Sequence, residues 1–285
     1  MKRALYVIVF VLTGPGCIHQ IALNSIGDIV DTGFEVLNEE QDLSLAGASI
    51  ASNLKLLETI IRDDPDNRHY LLLASESYSS YALAFVEDDS VERAKLFYLR
   101  GKEFGLRILN RNRAFADAQH KGIEHLRSSM ASFSNEDVPA VFWTAVGWGS
   151  YISHSLNDPE ALADLPKVEE MMHFVLSRDS IYFYAGAHCF LGTLDGSRPN
   201  MLGGDLDASR DHFERCLRIN GGKFLMSYIF YARSYAVQMQ DKELFRSLLH
   251  SVDTTSIDVL PEQRLSNAVA KWKARRMEAK IDESF

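Results

Sequence analysis

Apolar residues recur three and four positions apart along nearly the whole chain, and no sustained apolar–polar alternation interrupts them. A period near 3.6 marks helices that bury one face, whereas a half-buried strand alternates with period two. The pattern predicts helices at 20–37, 43–62, 68–86, 91–109, 112–132, 138–156, 166–178, 181–194, 205–218, 222–239, 241–251 and 261–281. Turn chemistry fills the gaps: Asp63-Asp64-Pro65-Asp66-Asn67, Asn157-Asp158-Pro159, Gly203-Gly204-Asp205 and Gly221-Gly222. Helices of this length joined by short turns imply antiparallel helical hairpins.

The hairpins share a loose repeat. The tetratricopeptide (TPR) pattern puts a bulky residue, a small pair and an aromatic on one helix, and small-aromatic-small on the next. Leu71, Ala74-Ser75 and Tyr78 fit an opening helix, and Ala94, Tyr98 and Gly101 its partner. Trp143, Val146-Gly147 and Ser150 open another repeat. Ser209, Phe213 and Cys216 close one, and Tyr228, Tyr231-Ala232 and Tyr235 open the last. The expected fold is all-α, a superhelix of degenerate TPR-like helical hairpins with Gly147 and Ala232 at tight helix contacts.

The N-terminus breaks the pattern. Lys2 and Arg3 precede the apolar run Ala4 to Leu12, and Thr13-Gly14-Pro15-Gly16-Cys17 follows. The run is too short to span a bilayer but suits the apolar region of a signal peptide. Small residues before an early cysteine resemble a bacterial lipobox, with Cys17 as the acylated first residue of the mature protein, although Gly14 and Pro15 depart from the usual pattern. The other reading is a secreted protein whose Cys17 is a plain thiol. The expected organisation is a lipoprotein-type signal peptide over 1–17 and a single TPR-like domain over 18–285, in the periplasm and held to a membrane by the lipid alone.

The formal net charge is −9, and loss of Lys2 and Arg3 with the leader takes it to −11. Such a body argues against nucleic-acid binding, which needs basic surface to replace counterions. Cys189 and Cys216 fall at small-residue helix positions, which favours packed, unpaired thiols while leaving a disulfide open.

Motifs of catalysis are missing: no HExxH, GxSxG, Walker-type loop or CxxC pair occurs. The expectation is therefore a binding protein rather than an enzyme, with no cofactor and no metal. Gly203-Gly204-Asp205 reads as a turn with an N-cap, and Asp63 to Asn67 as an inter-repeat turn rather than a calcium loop. The aromatic residues are more suggestive. Trp143 and Tyr151 share a helix face, and Tyr184 and His188 stand one turn apart on a later helix. These four are the expected ligand-binding residues, apolar walls with a few hydroxyl or imidazole points in the groove of the superhelix.

A further order of residues spans the C-terminal half. Tyr184-Ala185-Gly186-Ala187-His188 with Leu191-Gly192 leads to Pro199, Gly203-Gly204-Asp205 and His212-Phe213-Glu214-Arg215. Asn220-Gly221-Gly222-Lys223 with Tyr228, Asp241-Lys242-Glu243-Leu244-Phe245 and Leu260 to Asn267 follow, before a basic helix with Lys271 and Arg275-Arg276. This order resembles the TRAP-transporter T-component family of TatT lipoproteins. The resemblance implies a periplasmic accessory subunit of a TRAP-type importer that binds the TRAP substrate-binding protein. It also implies a small organic or hydrophobic ligand in a helical cleft or pore, and a homotrimer. The alternative is a general envelope scaffold that assembles proteins on its concave face.

Overall fold

The computed structural model describes residues 29–285 except 31, 199, 200 and 202, and the described residues are helical with no strand. The leader, Cys17 and residues 20–28 of the first predicted helix lie outside them. After a helical stretch at 32–38 come α1 (Leu43–Asp63), α2 (Arg68–Phe85), α3 (Val91–Leu109), α4 (Arg113–Ala118), α5 (Ile123–Met130), α6 (Val138–Ser153), α7 (Pro159–Ala163) and α8 (Leu165–Arg178). The chain continues through α9 (Tyr182–Ser197), α10 (Leu206–Asn220), α11 (Met226–Tyr231), α12 (Lys242–Thr254), α13 (Arg264–Ala279) and α14 (Ile281–Ser284). No described helix is long and apolar enough to cross a membrane.

Local chemistry sets many of these boundaries. Asp42, Asn67, Asn112, Asp158, Asp205 and Asp241 each precede a helix and accept hydrogen bonds from its first free backbone N–H groups. Gly221 and Gly222, both with positive φ, end α10 in the left-handed conformation that costs glycine least. The predicted helix 112–132 is broken: α4 ends at Ala118 and α5 restarts after Gly122. Gly122 is a poor helix former, and the break lets Phe115 and Leu126 both be buried. The short helix α7 was not expected; Asp158 and Pro159 start it within the predicted turn.

The principal packings are α2 on α3, α3 on α6 and α9 on α10. At Gly147 an added Cβ would stand 2.8 Å from the Lys102 backbone N and 2.9 Å from the Tyr98 carbonyl oxygen. The backbones of α3 and α6 therefore touch there, as expected of a small residue in a hairpin stack, and Ala232 is likewise fully buried. An open solenoid contacts only sequence neighbours. Here α13 also packs on α1, so the stack closes on itself rather than presenting an open groove.

Candidate functional site

Two apolar cores result. The first gathers residues of α1 to α8, including Leu57, Tyr78, Tyr98, Phe115 and Met171, with Ala187 and Leu191 of α9. The second gathers α9 to α13, including Phe213, Leu225, Phe245 and Val269, with Ala46 of α1. Ile50, Phe85 and Phe183 pack against both, and all three line a cavity of about 270 Å³ at the seam. Its walls are largely apolar, with Phe142, Trp143, Val146, Phe190, Phe224 and Leu265 prominent. The space stays open because small residues face it: Ser77, Ser79, Ser80, Ala84, Gly149, Ser150 and Gly186. Hollow, mostly apolar volumes with a few polar groups are the usual form of small-molecule sites.

The cavity wall carries unusual backbone. Phe183, Tyr184 and Ala185 have φ of 45°, 57° and 63°, so the right-handed helix predicted from 181 begins only after Ala185. Left-handed conformations cost an L-residue roughly 1–2 kcal/mol each, so surrounding contacts must hold them. Phe183 meets Trp143 edge-on at 4.7 Å and Phe224 at 5.7 Å, and Tyr184 stacks on Phe224 at 5.0 Å. The Tyr184 carbonyl accepts from Asn220 Nδ2 at 3.3 Å. Across the hollow, Ala232–Ala236 form a π-turn, a widened helical turn frequent at functional sites, and it carries Arg233.

Two ionisable groups stand out on the wall. Glu76 of α2 lines the cavity with its side chain half-buried, and no hydrogen bond or ion pair reaches its carboxyl among the described residues. Desolvation by burial pushes its pKa from the ordinary 4.5 to about 7. Its charge is felt by Tyr182, whose hydroxyl is pushed up first by burial and then by Glu76. The Trp143 indole N–H sits near that hydroxyl and pulls its pKa back down, but the two do not meet in hydrogen-bond geometry, and Trp143 Nε1 is buried without a partner.

Arg233 is the opposite case. It keeps 37% of its side chain accessible, but that surface borders two hollows, the seam cavity and a second one of about 290 Å³ beside α13. Its guanidinium is held by Glu87 at 2.8 Å. Glu87 also takes Lys273 Nζ at 3.2 Å and the Tyr98 hydroxyl at 2.5 Å, with His154 Nε2 at 3.4 Å. Burial opposes the Glu87 charge, yet Arg233, His154, Lys273 and Tyr98 together hold its carboxyl well below the usual range. Lys273 reaches Asp88 at 2.6 Å and Arg276 reaches Asp89 at 3.0 Å, so α13 is fastened to the end of α2 by a group of ion pairs.

The four residues expected from the sequence are not gathered in one place. Trp143 is on the cavity wall. Tyr151 is half-buried against the first core. Tyr184 turns its ring to Phe224 and its hydroxyl toward Glu262, 3.5 Å away. His188 faces α10, its Nδ1 2.8 Å from His212 Nδ1; burial lowers both pKa values, that of His212 to about 4. Cys189 and Cys216 are buried free thiols, and Cys189 touches the cavity. Asp205 caps α10 through Ala208 N. Among the described residues no three His, Cys, Asp or Glu side chains are placed to hold a metal ion. Glu76 and Arg233 were not foreseen. Glu76 had a signal: between Arg68 and Glu87 it is the lone Asp, Glu, Lys or Arg, set among serines and aromatics.

The sequence profile of the TRAP transporter T-component family matches residues 39–285. An uncharacterized protein of Treponema pallidum (strain Nichols) is 23% identical over 270 residues, covering 88% of this chain and 82% of that one. The matched span runs from just before α1 through α14 and takes in nearly all of the seam cavity's walls. The chain belongs to the TRAP transporter T-component family.

Proposed function

We infer that this protein is a periplasmic, lipid-anchored accessory subunit of a TRAP-type transport system. In this reading it docks on the TRAP substrate-binding protein, as a homotrimer, and holds a small organic or hydrophobic ligand in the seam cavity. The observation that carries the ligand half is the hollow itself. Between two tightly packed cores, small residues keep about 270 Å³ free where larger side chains would fill it, and an empty apolar void loses packing contacts that a ligand restores. Membership of the T-component family supports an accessory role in transport, in which other subunits cross the membrane. Binding rather than catalysis fits the wall, where the polar side chains are hydroxyls, the amides of Asn38 and Gln263, one thiol, one carboxyl and one ion-paired arginine.

The test is co-purification of the full chain with a TRAP substrate-binding protein from the same organism, combined with native mass spectrometry. The expected result is a complex of the two proteins and a co-extracted small molecule that Trp143→Ala loses. No association with that binding protein, together with recovery of several unrelated envelope proteins, would favour the general scaffold instead.

A further inference from the structure

We propose that the seam cavity selects an amphipathic organic cation, an amine with an apolar body, whose charged end pairs with Glu76 beside the rings of Phe142, Trp143 and Phe183. The proposal rests on the cavity being the ligand site and adds the class of ligand. Four observations lead to it. Glu76 is the one carboxyl on the wall, and neither hydrogen bond nor ion pair neutralises it within the described residues. The one cation on the wall, Arg233, is already committed to Glu87, so the charge facing the hollow is negative. The rings form a continuous group: Phe142 lies 5.1 Å from Trp143 and 5.3 Å from Tyr182, and Trp143 lies 4.7 Å from Phe183. Glu76 lines the same hollow as Phe142, Trp143 and Phe183, and its charge contributes to the raised Tyr182 pKa.

Ring faces carry negative electrostatic potential and attract ammonium groups, more strongly once water is excluded. An unpaired carboxylate in the same apolar enclosure is costly by itself and becomes favourable when a cation is supplied. A ligand carboxylate would meet like charge there. A neutral ligand would leave the Glu76 carboxyl protonated or uncompensated. The remaining wall, apolar from Phe34, Phe85 and Leu194 onward, suits the hydrocarbon part of the same molecule.

The probes are octylamine, 1-octanol and octanoate, titrated calorimetrically into the full chain at pH 8 and pH 5.5. Octylamine stays cationic at both. The titratable groups facing the cavity besides Glu76 are Tyr81, Tyr98, Cys189 and Arg233, with Tyr182 behind the rings. At pH 8 octylamine should bind at least about tenfold more tightly than 1-octanol, and octanoate most weakly. At pH 5.5, with Glu76 protonated, that preference should shrink to a few-fold. Glu76→Gln should cut the preference at pH 8 to the same few-fold. A preference of about tenfold that survives in Glu76→Gln, or octanoate binding tighter than octylamine, would overturn the proposal. If 1-octanol binds without any preference for the amine, the cavity remains a ligand site and the cation assignment falls. If none of the three binds, both readings fall.

Discussion

Glu76 is a carboxyl that the folded protein prefers protonated, and replacing it should therefore stabilise the ligand-free chain in a pH-dependent way. In the unfolded chain its pKa is near the ordinary 4.5, whereas burial beside the cavity raises it to about 7. For an acid shifted this way the protonated form favours the folded state. Its contribution is whole below pH 4.5 and is lost as the pH rises through about 7. The interval is about 2.5 pH units, and at 1.36 kcal/mol per unit the loss approaches about 3 kcal/mol by pH 8. Gln is nearly isosteric with the protonated carboxyl and does not ionise. At pH 5 Glu76→Gln should be more stable than the wild type by no more than about 1 kcal/mol, and at pH 8 by about 3 kcal/mol. Urea unfolding of both proteins at the two pH values, followed by circular dichroism, measures the difference while cancelling every group the two share. Parallel pH profiles would show that Glu76 is solvated like a surface residue. A larger gain at pH 5 would reverse the sign of the reasoning. A side chain that lowers stability at neutral pH is the kind of cost found where a site is kept ready for a ligand.

Further expectations follow from the same structure. Gly147→Leu pushes a side chain into the backbones of Lys102 and Tyr98, so it should cost the upper part of the roughly 1–3 kcal/mol typical of overpacking; an unchanged urea midpoint would show the α3–α6 contact to be loose. Lys273→Met leaves the buried Glu87 with less compensation and should destabilise by about 3–5 kcal/mol. Because the Glu87 pKa is depressed, its stabilisation is present above about pH 4.5 and is lost as pH falls below that, so Glu87→Gln should flatten the acid limb of the stability profile; an acid limb identical to the wild type would remove Glu87 from it. Ligand affinity per folded molecule should fall in Trp143→Ala and stay near wild type in alanine variants of Tyr151, Tyr184 and His188; uniform loss across all four would place the site elsewhere. Cys17→Ser should release the protein from membranes, and a variant that stays bound would contradict the lipid anchor.

Much of the fold was legible along the chain because its causes are local. The 3.6-residue apolar period placed most of the helices, and the Asx residues before Leu43, Arg68, Arg113, Pro159, Leu206 and Lys242 are the very groups that cap them. Small residues marked the closest helix contacts, with Gly147 at the α3–α6 crossing. A helical period says which face is buried, but it does not say against what. The return of α13 to α1 and to the end of α2 depends on partners nearly two hundred positions apart, such as Lys273 with Glu87 and Asp88, and no local pattern encodes that pairing. The same applies to the site. Trp143 and Tyr151 share a helix face, yet one meets the cavity and the other the first core. The left-handed turn at Phe183–Ala185, held by Phe224 and Asn220, takes Tyr184 out of the right-handed helix that the sequence pattern implies. The cavity itself is a mismatch between two cores, and the raised pKa of Glu76 follows from that mismatch alone, since an isolated α2 would leave the same carboxyl in water.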